Sequence, residues 1–395
     1  MPHIDTVGLG IWASVGARDD PPSMAGMAHA LEHMVFKGTK TRSARQIVEE
    51  IEVLGGQCNA YTGREISAFH VRMLADDWPQ GLEILHDMLW HSEFDAQAWN
   101  LERDVICEEI AQSQDTPDDH IFDILQHTSF HDHALGRPIL GTPQDLQRIT
   151  PKDFHDFIKA RYTPERVVVA ISGRVDPDVF LQKCRVLFGN IPAHDATLMR
   201  DKPHYVGGTT HEARDLQQTH MLVALHAHSM DEDYYPLLLL NEILGGGMTS
   251  RLFQTIREEK GSAYSIYSYV DLYDDARMLG IYAGTNDPGT VLDDIVAIIQ
   301  TLHDTMTEDE LARAKQQFRA GLSMGLESPL GRCEFYIRHL LRFGHMPDRA
   351  KILRDIDAIH LRDLQAALSG LLHDRPSCVS LGCAFNSCAI DGLGA

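Results

Sequence analysis

Long apolar runs are missing from this chain. None approaches the ~18 consecutive apolar residues of a spanning helix, so no membrane span is expected. Positive charge is in short supply: 35 Lys and Arg stand against 57 Asp and Glu, a formal net charge of −22. That balance argues against nucleic acid and anionic membrane surfaces as partners. It would suit a cationic substrate, although an acidic surface also serves solubility alone. Cysteine is sparse, seven in 395 residues, an odd count with no C-x-x-C spacing. A disulfide framework is therefore not expected, and free thiols in a reducing compartment are. Cys378, Cys383 and Cys388 stand five apart, which is not a zinc-knuckle spacing, and read as unpaired thiols. The residues before Gly16 carry neither a basic leader nor a small-residue cleavage site, so no secretory signal is expected.

What is present begins with five residues, His29-Ala30-Leu31-Glu32-His33. They read H-x-x-E-H, the mirror order of the zinc-protease helix. Positions i and i+4 share one helix face, about 5–6 Å apart at Cβ, so two imidazoles can grip one Zn²⁺. Glu32, three residues after His29, points to the same side and can take a proton from a water on the metal. No proline interrupts residues 24–34, and Ser23 is a candidate cap. By itself the pattern also fits two packing or surface histidines on a helix.

The chain is long enough for two domains. Residues 4–16 read as a strand, 43–54 as a capped amphipathic helix ending at Gly55-Gly56, and 57–74 as two strands about Thr62-Gly63. Helices follow at 78–89, 96–113 and 151–161, and a buried strand at 167–172. Residues 190–208, with Pro192, Pro203 and two glycines, make the best linker. Then the order recurs: a strand at 221–226, helices at 234–244 and 251–259, strands at 263–270 and 278–285, and helices from Pro288 onward. This predicts an α+β fold of two similar tandem domains, each a mainly antiparallel sheet covered by helices. The divisions are 1–189, a linker at 190–209, and 210–395.

A catalytic zinc needs three protein ligands and an open position. The acidic helix offers Glu102, Glu108 and Glu109. Glu102 and Glu109 are seven apart, about 700° of rotation, so they share a stripe, and Glu108 points about 100° away. One of the pair could bind metal while the other holds a ligand imidazole, or the face could simply be solvated. His226 and His228 alternate on one strand face but have no evident third ligand. His131 and His133 read as exposed loop residues.

The motifs together resemble the inverzincin metallopeptidases: the pitrilysin, insulin-degrading enzyme and mitochondrial processing peptidase family, and most of all its small bacterial members and the processing-peptidase β subunit. They are His29 to His33 with Met-Val-Phe36-Lys-Gly-Thr39; Gly55-Gly56 with Asn59-Ala60-Tyr61-Thr62; Glu102 to Glu109; Leu135 to Gly141; and Leu244 to Phe253 with Arg257, Gly261 and Tyr264. They span nearly the whole chain in order. The resemblance implies His29, His33 and Glu109 as ligands of one Zn²⁺ per chain, Glu32 as general base, and Glu102 behind a ligand imidazole. It implies Phe36 beside the scissile bond, and Asn59, Ala60 and Tyr61 on an edge strand to which a peptide adds. Arg257 and Tyr264 match a pair that the family aims at the substrate backbone and oxyanion; without the family they read as a surface arginine and a strand tyrosine. Family members begin with a further strand-forming segment of about two dozen residues. Here Met1-Pro-His-Ile is read as already inside the next strand, so that either the segment is absent, which would give the first sheet an altered edge, or the start is mis-assigned. Ser262 replaces a larger apolar residue, and the tail after Leu381 follows no recognised pattern.

The expected activity is therefore a zinc-dependent endopeptidase acting on extended, cationic peptides or presequence-like segments in a closed chamber. One chain would supply half of a clamshell, completed in a homodimer or a heterodimer. The alternative is a non-proteolytic scaffold or substrate-binding subunit, which typically loses one or more of the four site residues. A cytoplasmic location of bacterial type is expected, with the mitochondrial matrix or the periplasm as the alternative for a chain whose targeting segment has been removed.

Overall fold

The computed structural model describes residues 1–193, 200–227 and 234–393. In chain order the elements begin with β1 (Thr6–Ala13), α1 (Met27–Met34), α2 (Ala44–Val53), β2 (Gln57–Thr62) and β3 (Ser67–Leu74). Next come α3 (Trp78–Trp90), α4 (Ala96–Asp115), α5 (Pro117–Ser129), the short α6 (Pro143–Leu146), α7 (Pro151–Arg161), β4 (Val167–Gly173) and α8 (Pro177–Phe188). After these stand β5 (Gly208–Ala213), β6 (Thr219–Ala227), α9 (Tyr235–Gly245), a π-helix (Phe253–Glu259), β7 (Ser265–Leu272) and β8 (Arg277–Thr285). The chain finishes with α10 (Pro288–Thr305), α11 (Glu308–Gly325), α12 (Pro329–Phe343), α13 (Arg349–Ala358), α14 (Leu361–Leu371) and β9 (Ser377–Gly382). No helix of the described residues is long and apolar enough to cross a membrane.

Two compact units share these elements, and they do not follow a single cut at the linker. The first takes residues 1–112, 137–201 and 323–347; the second takes 113–136, 202–322 and 348–395. The first half thus lends α5 to the second unit, and the second half lends α12 to the first.

The first unit is built on a four-stranded antiparallel sheet in the order β2-β3-β1-β4. Side chains alternate across β1, so each face has its own core. Leu9, Ile11 and Ala13 pack with Met27, Leu31, Met34, Ile106 and Phe154 from the helices. Trp12 and Ala68 turn the other way and meet Cys333 and Ile337 of α12. That helix comes close because β1 carries Gly8, where a Cβ would lie 2.7 Å from the Leu330 amide nitrogen. Helix α2 starts where its sequence says: the Ser43 hydroxyl accepts the Gln46 N–H, and Gln46 reaches back to the Ser43 N–H.

The second unit holds five strands in the order β5-β9-β6-β8-β7, antiparallel except for the β5–β9 pair. Ile121 and Leu125 of α5 bury against Leu222, Met278, Tyr282, Val379 and Leu381 on the sheet. Strand β9 corrects the expectation of helices alone after Pro288: it lies inside the sheet, beside β6. All six of its residues, Ser377-Cys-Val-Ser-Leu-Gly, are buried, so the strand lacks the alternation of covered and exposed residues that would mark it in the sequence. Both units are α+β with mainly antiparallel sheets, as the sequence predicts. No disulfide forms among the described residues.

Candidate metal centre

Helix α1 carries the H-x-x-E-H residues, and its first turn is made by an arrangement that the sequence hides. Gly26 precedes the helix at φ +91°, where a side chain would be strained. Its N–H donates to Asp20 Oδ2 at 2.8 Å, and the Ala28 N–H donates to Asp20 Oδ1 at 2.9 Å. The helix is therefore capped by Asp20 and not by Ser23. Asp20 stands six positions before Gly26, so the usual spacing of caps does not reveal it. Burial pushes the Asp20 carboxyl up to about 8, against the pull of these two N–H groups and of Arg137.

His29 and His33 lie one turn apart, with ring centroids at 4.7 Å. Burial, helped by His33, lowers the His29 pKa to about 4, so its imidazole is neutral near pH 7 and has a lone pair to give. His33 is oriented from α4. Its Nδ1 lies 2.9 Å from Glu102 Oε1, and with the proton there it donates to the carboxylate and leaves Nε2 free. The other Glu102 oxygen takes Lys37 at 2.5 Å. One turn pair further along α4, Glu109 places Oε2 at 3.4 Å from His33 Nε2 and 3.8 Å from His29 Nε2. Donor atoms of His29, His33 and Glu109 all lie within 4.8 Å of one another, and no other such group of three or more occurs among the described residues. Glu108 is exposed on another side of the helix.

The donor set fits zinc. Ligands at about 2.0–2.2 Å in a tetrahedron stand about 3.3–3.5 Å apart, close to the two Glu109 distances. Two imidazoles and a carboxylate leave a fourth position open. On α1 itself, Glu32 Oε2 is buried with no hydrogen-bond partner among the described residues. Burial raises the Glu32 pKa, while the Thr62 hydroxyl and His33 oppose that rise.

The remaining predicted residues fall in two places. Phe36, two residues past the end of α1, is half-buried against the core of the first unit. Asn59, Ala60 and Tyr61 lie on β2, an edge of the first sheet. Ala60 packs into the core, and the Asn59 side chain accepts the N–H of Ala60. Arg257 and Tyr264 are in the second unit. The Arg257 guanidinium lies over Phe253 at 4.8 Å and over Tyr264 at 5.3 Å, and Tyr264 is 80% exposed. Arg257 rides on the π-helix, a rare form that often marks functional sites. The second histidine pair gains no support: His226 Nδ1 bonds Asp374 at 2.7 Å, and His228 lies outside the described residues. Asp20 and Lys37 also shape the site, and no spacing rule marks either of them in the sequence.

Residues 1–143 match the family model of insulinase, peptidase family M16. Residues 148–318 match that of the peptidase M16 inactive domain. The chain belongs to the M16 peptidase family. Its relatives in that family include the uncharacterized zinc protease YmxG of Bacillus subtilis, 35% identical over 91% of this chain and 89% of the relative. An uncharacterized zinc protease of Mycobacterium leprae is 35% identical over 97% of this chain and 88% of its own. The fold is also that of a protease from Helicobacter pylori, with a TM-score of 0.87 over 96% of this chain and 95% of that one at 21% identity. The division into matched models agrees with the geometry: the donor cluster lies in the stretch matched to insulinase, and the stretch matched to the inactive domain contributes none of its residues.

Proposed function

We propose that this M16 chain is a zinc endopeptidase, with His29, His33 and Glu109 as metal ligands and Glu32 as general base. The observation that carries the reading is the set of three donor atoms within 4.8 Å of one another, two of them on α1, the helix that also holds a Glu32 oxygen unpartnered among the described residues. The names of the relatives support zinc and proteolysis. Zinc at this position supplies Lewis acidity, which polarises a peptide carbonyl and makes water acidic enough to lose a proton near neutral pH. Glu32 takes that proton as the water attacks and delivers it to the leaving amine. Its raised pKa suits both halves of the transfer. Glu102 holds His33 in one tautomer, and Lys37 neutralises Glu102. Strand β2 offers Asn59, Ala60 and Tyr61 to an extended peptide, Phe36 borders the residue next to the cut, and acidic charge favours basic peptides. Arg257 and Tyr264 donate to the substrate backbone and the tetrahedral oxyanion from a second copy of the chain, so that the working form is a dimer that encloses the peptide. A scaffold subunit without proteolysis is the alternative; the complete set of His29, Glu32, His33 and Glu109 argues against it. Elemental analysis of the purified protein, with peptide digestion before and after chelation, tests the reading. One zinc per chain and chelator-sensitive cleavage are expected; zinc-loaded protein that cuts no peptide overturns it.

A further inference from the structure

Strand β2 is an edge strand: among the described residues it pairs, through residues 57–62, with β3 on one side only. Such a strand frays unless its faces are held, and a frayed edge binds a peptide poorly because ordering it costs affinity. One face is held by α1, where the Thr62 hydroxyl donates to the Ala28 carbonyl at 3.4 Å. The opposite face is held by α12. The Tyr61 hydroxyl lies 2.9 Å from both carboxylate oxygens of Glu334. Glu334 also accepts the indole N–H of the fully buried Trp12 at 2.9 Å and the Arg338 Nε–H at 2.8 Å. Arg338 donates to the Tyr61 oxygen at 3.0 Å and lies over the Tyr61 ring at 5.4 Å. A charge-assisted network of this kind is stronger than its neutral counterpart.

We infer that Glu334 and Arg338 are positioning residues for the peptide-binding strand: through Tyr61 they fix β2 against α12 and so set the register in which an extended peptide meets the zinc helix. The inference rests on the peptidase reading for its kinetic effect, not for its structural one. The geometry explains the place of each member. Tyr61 and Thr62 are neighbours on a pleated strand, so their side chains leave by opposite faces, one toward α12 and one toward α1. The strand end nearest Glu32 is thus clamped from both sides. Trp12, on β1 two strands away, fixes the carboxylate relative to the sheet rather than to β2 alone.

The test uses the full chain with Glu334→Ala, Glu334→Gln and Tyr61→Phe. Losing the Tyr61–Glu334 tether is expected to raise KM for an extended peptide roughly five- to tenfold. Zinc content should stay near that of the parent in every variant, and kcat in the Glu334 variants. Amide exchange should quicken in residues 57–62 and not in α1. Glu334→Gln, whose carboxamide oxygen still accepts from Trp12 and Tyr61, should restore most of the KM. The Glu334→Ala, Tyr61→Phe double variant should add nothing to the single ones. Unchanged exchange in β2 for both single variants overturns the inference, as does a loss confined to kcat or to zinc. If Glu334→Ala fails to fold, Tyr61→Phe, which removes one oxygen atom, carries the test. A parent that cleaves no peptide sinks the peptidase reading alone, because the exchange measurement still decides whether the tether exists.

Discussion

His33 meets two carboxylates through its two ring nitrogens, Glu102 at Nδ1 and Glu109 near Nε2, and this divides their roles at the residue scale. Removing a ligand and removing its support should differ in degree. With His33→Ala only two donors remain, and elemental analysis should find the protein without zinc; full occupancy would refute the ligand set. With Glu102→Ala the imidazole loses its orienting acceptor, and zinc affinity should fall on the order of 10–100-fold by competition with a chelator dye. Glu32→Gln keeps shape and metal but not the base. Peptide turnover should drop on the order of 10²–10⁴-fold at unchanged zinc content, and a variant as fast as the parent would show that the proton goes elsewhere.

Among the elements, α1 depends on a cap that no local pattern discloses. Asp20→Ala leaves two N–H groups of the first turn without acceptors and should cost about 1–2 kcal/mol, read from the denaturant midpoint. In the second unit α11 is held at its start by Glu310, which takes Arg251 at 2.8 and 2.9 Å. Those bonds hold its carboxyl at about 2, below its ordinary 4.5. Between these values the folded chain binds fewer protons than the unfolded one. The stabilisation is therefore complete above pH 4.5 and is lost as pH falls through 2. Melting temperatures of the parent and of Glu310→Gln should differ most near neutrality and converge in acid; a constant gap would mean that the charge is not what matters. Helices with periodic faces and caps, such as α2, were legible within a residue or two. The fully buried β9, which shows no alternation, and the exchanged places of α5 and α12 were not, since both depend on what packs across the sheet.

On the scale of the molecule, the proposed dimer makes a demand that one chain cannot meet. If Arg257 and Tyr264 serve the zinc site of a second copy, two defective chains should repair each other. Glu32→Gln and Tyr264→Phe proteins, each inactive, are mixed under conditions that exchange subunits. A mixed dimer would join an intact Glu32 with an intact Tyr264 in one of its two sites, and part of the activity should return. No recovery despite proven exchange would place the pair's action within one chain or remove it altogether. Net charge bears on the same scale: peptides rich in Lys and Arg should be preferred, and the preference should weaken as salt screens the −22 charge.

The sequence by itself determined the α+β class, the recurrence of elements in two halves, and the helix that sets His29, Glu32 and His33 on one side. These follow from spacing along the chain, and a helix or strand turns spacing into direction without help from distant residues. It also singled out Glu102 and Glu109 as one stripe of α4, and the family resemblance assigned them different tasks. Tertiary structure decided which residues meet across the chain. The Glu102–His33 contact spans 69 positions and Tyr61–Glu334 spans 273. Asp20 caps a helix from six residues before Gly26, α12 packs on a sheet from the other half of the sequence, and His226 finds Asp374 rather than a metal-binding partner. Such pairings are fixed by the packing of whole sheet faces, where burial outweighs any local preference, and so they leave no periodic trace in the order of the residues.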